Sequence, residues 1–499
     1  MSTLAAAAKA AAPKLAIHFE GDKEYLKARK WGAHADKHVY YPGAIAYPTD
    51  AEEVSKLITW ANEQGIELCL TNGGHGGVSF SKALVVRMDR ICSVSVDPKA
   101  KTVTCGGGVT VGMVDAATRQ HGLATTLGNC PMVGVTGAML GGGTGFMARW
   151  QGLTIDQLLR ATIVLADGSI VEASADSAHH DLFYALKGGG GNFGVLTSFT
   201  LRCFEIGWGG GAPSEGRLLG GMRLMLSKSC FCGLAGNAGG YRNLLTKFRD
   251  YTMSMPNELS ADLMRPCKAP VAAQFLTYKG PIAEAKAEQK KWKHALGKAM
   301  ISTIKVKSYF GIQGFVGRVA GKDMAKGMHE RGVSMVVNLP DAAIEVLARA
   351  EQMAPSGCQA VIMCQRLGGK IDTPEGGAES CAYAHRDGGF WLVLQVVTSK
   401  VGKHEDPKKA ALADAWLTNT CKELEPHVIE KGVGCISPGT TPCTQGAGAA
   451  VMFPPVNVFG EAARVEKLRA IKTKYDPTNV FKAVENGLTG AHNIEPDRV

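Results

Sequence analysis

The chain has 499 residues, 45% of them hydrophobic and 20% charged, with a formal net charge of +10. That length exceeds what one compact core normally holds, so two lobes are expected. Lys and Arg are scattered, without a long basic block or interleaved aromatics, which argues against nucleic-acid binding and leaves at most a mild attraction for anions. The 14 cysteines are dispersed and form no paired framework with histidines, so neither a structural zinc site nor any other metal is expected. Cys230-Phe231-Cys232 is a lone short pair. The alanine-rich start, Met1 to Pro13, lacks the basic-then-apolar pattern of a secretory signal, and no stretch reads as a membrane span. A cytoplasmic protein with reduced thiols is the expectation, with an organelle left open.

In chain order, Pro48-Thr49-Asp50 opens a helix to about Gln64, with Val54, Leu57, Ile58 and Ala61 on its apolar face and Gly65 as its stop. A strand from Ile66 to Leu70 feeds into Thr71-Asn72-Gly73-Gly74-His75-Gly76-Gly77. Further strands are expected at Leu84 to Met88 and Thr102 to Cys105, with a helix from Val114 to His121. Arg160 to Leu165, Asp167-Gly168 and Ser169 to Ala173 read as a hairpin with a strong turn dipeptide. Asp181 to Lys187 reads as helix and Val195 to Leu201 as strand.

Character changes after about Glu205, where Gly207 to Gly211 offers a crossing point between lobes. Helices follow at Ile282 to Ala299, Ala342 to Met353 and Pro407 to Lys431. Strand-like runs lie between them at Val333 to Asn338, Ala360 to Cys364 and Phe390 to Val397. A last helix, about Ala462 to Lys474, precedes Tyr475-Asp476-Pro477-Thr478-Asn479-Val480-Phe481. The fold class expected is α+β. A cofactor lobe dense in short elements is followed by a substrate lobe whose antiparallel sheet is covered by helices.

Two local settings carry the chemistry. His75 sits among four glycines, a loop able to wrap a pyrophosphate with its N–H groups. Cys130 sits in Gly128-Asn129-Cys130-Pro131-Met132-Val133-Gly134-Val135-Thr136-Gly137, followed by Leu140-Gly141-Gly142-Gly143-Thr144-Gly145. One soft nucleophile, one imidazole and several side-chain-free turns point to a large flat cofactor gripped by backbone and tied down covalently. Gly189-x-Gly191-x-x-Gly194 matches the dinucleotide fingerprint as a bare pattern. Its helix comes before and its strand after, the reverse of a Rossmann loop, so a tight passage near a ligand or another backbone is the better reading.

These segments together resemble the berberine-bridge-enzyme-like FAD-linked oxidoreductases of the vanillyl-alcohol-oxidase superfamily. The resemblance is strong over about residues 38–205, clear again at 382–396 and 472–481, and weak between. It implies a PCMH-type FAD-binding domain of two α/β subdomains over residues 1–205, with its core at about 38–205. A substrate domain would follow over 206–454, and a return segment to the FAD domain over 455–499. By the same resemblance, His75 would bind the 8α-methyl and Cys130 the C6 position of one FAD. Asn72, Gly73, Gly74, Gly76, Gly77, Gly134, Gly137, Gly141, Gly142, Gly145, Gly194 and Val195 would line it. Gly76 replaces the family's usual Ser or Thr, and Ala138 its frequent His.

Ala382-Tyr383-Ala384-His385-Arg386 resembles the family's entry to a substrate-lobe strand, which makes Tyr383 and His385 catalytic candidates. The family's aromatic-x-Asn segment has no good copy, since residues 446–459 offer only Phe453 and Asn457, so the general base stays unassigned. Val133, three residues after the flavin-binding Cys, would be an oxygen gate that admits O2. The implied activity is oxidation of a C–H bond bearing O or N in a secondary metabolite, with O2 reduced to H2O2. A carbohydrate oxidase, a dehydrogenase with another acceptor and a non-catalytic flavin carrier stand as alternatives. The partners expected are a small-molecule substrate and O2, with oligomeric state open.

Overall fold

The computed structural model describes residues 15–29, 41–74, 83–206, 217–226, 240–320, 330–398, 406–429 and 461–481. The helix Ala51–Glu63 begins where Asp50 accepts the Glu53 N–H at 2.8 Å, while the Glu53 carboxylate reaches back to Thr49 N at 2.8 Å. Val54, Leu57, Ile58 and Ala61 are buried as their spacing requires, and Gly65 follows in the left-handed region. That helix covers a four-stranded sheet ordered Ala16–Phe19, Ala44–Tyr47, Leu84–Arg87, Leu68–Thr71, with the last three strands parallel. A second, antiparallel sheet runs Val94–Asp97, Thr102–Gly106, Val195–Arg202, Leu158–Val164, Ile170–Ser174. Asp167-Gly168 makes the expected hairpin turn, with Leu165 N donating to Ser169 O. The helix Val111–Arg119 starts three residues earlier than expected, because Thr110 in extended backbone sets its cap.

An eight-stranded antiparallel sheet builds the other lobe, its central strands ordered Arg217–Leu226, Val271–Tyr278, Leu259–Pro266, Gln359–Arg366, Phe390–Val397, Glu330–Val337. The helices Gly240–Met253, Ile282–Leu296, Asp341–Met353 and Pro407–Leu424 bury one face, packing on Leu259, Ala261, Leu263, Ile362, Cys364, Leu392 and Leu394. Two helices are shorter than their pattern implied. Gly297, at φ +79°, ends one at Leu296. The other gives way at Leu424 to the tight turn Glu425–His427, because Pro426 has no N–H to continue the ladder.

The last helix, Ala462–Tyr475, returns to the first lobe. Val465, Leu468, Ile471 and Tyr475 share a core with Leu182, Leu186 and Phe193, and Phe481 joins Val54, Leu57 and Val164. Buried Lys472 fixes the turn, donating to Asn192 O at 2.7 Å, Phe481 O at 2.8 Å and Asp476 Oδ2 at 2.5 Å. Asp476 also accepts from Val480 N and Phe481 N, so the Asp-Pro-x-Asn-x-Phe pattern is a hydrogen-bonded plug.

Candidate active site

The Cys130 loop is held by backbone on one side. Val111 N donates to Val133 O at 3.0 Å, Gly112 N to Pro131 O at 2.9 Å and Val135 N to Val109 O at 3.0 Å. Thr136 Oγ1 donates to Gly107 O at 2.6 Å. Asn72 Nδ2 donates to Gly107 O and Val109 O, each at 3.1 Å, so the loop leading to His75 hangs on the same residues. The two loops then touch. A Cβ on Gly73 would lie 2.6 Å from Gly134 N, and one on Gly134 would lie 2.7 Å from Asn72 Nδ2. Only glycine fits at either position. Gly74 turns the chain at φ +69°, and His75, Gly76 and Gly77 lie outside the described residues.

Residues 128–133 and 136–138 are half-buried, in a lobe otherwise densely packed, and a Cβ on Gly137 would meet nothing. Asn129 Oδ1 is sealed from solvent with no hydrogen-bond partner among the described residues. A shallow bed with Cys130 and Val133 along it, a free acceptor and side-chain-free backbone fits a broad flat ligand such as a flavin.

The glycine-rich run borders this bed for structural reasons of its own. Gly141 caps the short helix Val135–Leu140, and a Cβ on Gly145 would strike Leu127 O at 1.9 Å. Gly142, at φ +114°, lets the Tyr383 ring come within 2.7 Å of where a Cβ would be. Gly188, at φ +118°, gives the same room to the Tyr383 backbone, whose N–H donates to Lys187 O at 3.0 Å. Tyr383 and His385 are therefore brought together as packing, 3% and 4% exposed, with ring centroids 5.2 Å apart and edge to face. Burial pushes the Tyr383 phenol well above its ordinary range, a poor setting for a proton acceptor at neutral pH. Gly194 lies close to Ile163 and Val164 O of a neighbouring strand, and Val195 sits in the core, so both support the second sheet. The run from Gly189 to Gly194 follows the helix His180–Leu186 and precedes the strand Val195–Arg202, the reverse of a Rossmann turn.

Opposite the bed lies the face of the large sheet turned away from the four helices. Strand register lines up Met222, Phe275, Asp262, Gln365, Trp391 and Val336 in one row across five strand pairings. Trp391 and Val336 pack on the flavin-lobe core, and Phe275 on Tyr309, Ile312, Phe146 and Met147. At the middle of the row, Gln365 stands directly across from Asp262 in the register, and Thr144 Oγ1 of the glycine-rich run reaches Gln365 Oε1 at 3.5 Å. Burial raises the Asp262 carboxyl to about 7. Burial raises a second carboxyl, Asp115, to about 7; near it, Gln313 Nε2 donates to Gly128 O at 2.7 Å.

Sequence reasoning missed Asp262, Gln365, Asp115 and Gln313. The available signal was an acid inside an otherwise apolar strand run, Leu259-Ser260-Ala261-Asp262-Leu263-Met264.

Residues 42–174 match the family described as FAD binding domain, and residues 455–486 match berberine and berberine like. The chain is similar to the berberine-bridge-like FAD-linked oxidoreductases. It is 27% identical over 468 residues to an FAD-linked oxidoreductase of Dictyostelium discoideum, covering 93% of this chain and 92% of that one. It is 38% identical to the xylooligosaccharide oxidase of Thermothelomyces thermophilus over 175 residues, 34% of this chain and 35% of the relative. The glucooligosaccharide oxidase of Acremonium strictum, which carries a 6-S-cysteinyl, 8α-N1-histidyl FAD, superposes with a TM-score of 0.78 at 25% identity, covering 96% and 97% of the two chains. The cofactor is FAD, and the α+β architecture is that of these flavoenzymes. No helix among the described residues is long and apolar enough to cross a membrane.

Proposed function

We propose that this chain is a bicovalent FAD oxidase. It takes a hydride from a C–H bond bearing O or N in a secondary metabolite and passes the electrons to O2, giving H2O2. The observation that carries the reading is the Gly73–Gly134 contact, which holds the root of the His75 loop against the Cys130 loop beside an open bed. A flavin bound there by His75 and Cys130 supplies the two-electron acceptor. The chain's own residues grip it by backbone, set the substrate across the row from Phe275 to Trp391, and leave at Val133 a small side chain for O2 to pass. Division into an FAD domain at 1–205, a substrate domain at 206–454 and a return segment at 455–499 is part of the same proposal.

A second substrate class, an oligosaccharide, is supported by the sheet row itself. Aromatic Phe275 and Trp391 flank hydrogen-bonding Asp262 and Gln365, as a sugar's apolar faces and hydroxyls require. Anaerobic mixing with cellobiose, xylobiose, benzylic alcohols, phenols and secondary amines separates the classes. The true class bleaches the flavin, and air then restores the colour with one H2O2 per turnover. If none bleaches it, the oxidoreductase reading of this site fails.

A further inference from the structure

We infer that Asp262 is the proton acceptor of the reaction, taking the substrate's hydroxyl or amine proton while Gln365 holds its carboxyl in place. The inference rests on the oxidoreductase reading above and names the base that the sequence left unassigned. Three observations place it. Asp262 stands at the centre of the sheet face that looks toward the FAD-binding lobe, and its register partner Gln365 meets Thr144 of the glycine-rich run. Its Oδ1 has no hydrogen-bond partner among the described residues, yet the residue is only half-buried, as a group at the floor of a cleft is. An orphaned buried oxygen costs free energy, on the order of 1–3 kcal/mol, unless something supplies a donor. A substrate hydroxyl lying on the row between Phe275 and Trp391 is such a donor.

The surroundings keep this carboxyl in a usable range. Its same-face neighbours are Ser260 and Met264 on its own strand, Phe275 and Thr277 on one side, and Met363 and Gln365 on the other. The facing run Leu140 to Gly145 has no titratable side chain. Among the described residues, Cys364 is the nearby ionisable group, on the far face with the helix-covered core. Burial, with no cationic neighbour among the described residues, raises the acid toward neutrality, and the Gln365 amide across from it stops it rising further. The other candidates are worse placed. Tyr383 is packed on Gly142 with its phenol pushed too high, and Asp115 faces Gln313 beneath the Cys130 loop.

The step balances for an alcohol. The C–H bond breaks with its hydrogen and electron pair leaving together as hydride to oxidised FAD, and the O–H bond breaks with its proton going to the Asp262 carboxylate. The oxygen electron pair left behind closes the C=O bond. Products are a carbonyl compound, neutral Asp262 and two-electron-reduced FAD. An amine gives the corresponding imine.

Two measurements test this on the full-length holoenzyme. The first needs no substrate: the visible spectrum of oxidised enzyme is titrated from pH 5 to 9. Asp115→Asn, which removes the other carboxyl raised to about 7, should show a shift with a midpoint near neutrality, because a charge appears beside the flavin. Asp262→Asn in that background should show none, and Gln365→Leu in that background should move the midpoint upward, since the Gln365 amide favours the ionised form. The second is anaerobic flavin reduction by whichever of cellobiose, a benzylic alcohol and a secondary amine reduces wild type fastest. Asp262→Asn should slow it on the order of 10²–10⁴-fold and abolish its rise with pH through neutrality, with Asp262→Glu recovering part of both. A titration that persists in the Asp115→Asn, Asp262→Asn double variant, or an Asp262→Asn enzyme reduced at the wild-type rate, overturns the assignment. If Asp262→Asn does not fold with FAD, the spectral midpoint of Gln365→Leu decides: an unmoved midpoint overturns it. Wild type that titrates but that no probe reduces would sink the function proposal while leaving Asp262 beside the flavin.

Discussion

Arg386 and Asp156 clasp the two lobes through parallel hydrogen bonds, Nη2 to Oδ1 at 2.6 Å and Nη1 to Oδ2 at 2.9 Å, with both side chains buried. Arg386 also donates to Ile371 O at 2.9 Å and lies over the Tyr383 ring, while Asp156 accepts from Leu153 N. Arg386→Ala leaves the Asp156 carboxylate buried without its cation and should cost about 3–5 kcal/mol. Arg386→Lys keeps a charge but loses the planar fork, so it should recover only part of that. Urea unfolding followed by flavin fluorescence checks both. Equal stability of Lys and wild type would mean the fork is unimportant.

The two attachment residues give a direct chemical expectation. Acid-precipitated wild type should stay yellow, with flavin mass on peptides that contain His75 and Cys130. His75→Ala and Cys130→Ala should each keep one bond and release no free FAD, and the double variant should release all of it. Complete release from wild type on denaturation would end the covalent proposal.

Val133 is half-buried and packed at the edge of the flavin-lobe core, its backbone fixed to Val111 and Cys130. Val133→Leu adds one methylene where packed interiors register such a change. Reoxidation of the reduced flavin by air should slow strongly, with substrate-driven reduction nearly unchanged, as stopped-flow absorbance would record. Equal reoxidation rates in both proteins would leave the dehydrogenase alternative in place.

Asp115 makes a pH prediction independent of turnover. Its folded acid is raised to about 7 by burial, against an ordinary value of 3.8, so the folded state holds this proton more tightly than the unfolded chain. The stability it contributes is fully present below the unfolded value and is lost as pH rises toward 7. At most roughly 4 kcal/mol is involved, three pKa units taken at face value. Asp115→Asn should therefore match wild type near pH 4 and exceed it in melting temperature at pH 8. A constant difference across that range would show that the carboxyl stays solvated.

The flavin lobe was legible because its elements are local. Asp50, Gly65 and Asp167-Gly168 announce their cap, stop and turn, and the His75 and Cys130 flanks are long enough to identify. The substrate sheet was half legible. Arg217–Leu226 and Leu259–Pro266 went unseen because Gly220-Gly221 reads as a turn and Ser260 and Asp262 break the apolar pattern. Both departures are tertiary. A Cβ on Gly220 would lie 2.4 Å from Ile312, and Asp262 faces a cleft that only the other lobe creates. The Cys230-Phe231-Cys232 pair, the glycines 207–211 and the Phe453 to Asn457 segment lie outside the described residues.

The Lys472–Asp476 plug has an implication for how the protein is made. Phe481 fills a hole beside Val54 and Val164, and Lys472 satisfies the Asn192 carbonyl, so the lobe begun first is finished last. A ribosome must deliver the whole substrate lobe before the closing residues emerge. Until then the nascent chain presents an apolar gap to any chaperone nearby. A chain stopped before Phe481 would leave Val54 and Val164 without that cover and the Asn192 carbonyl held by a less firmly placed Lys472.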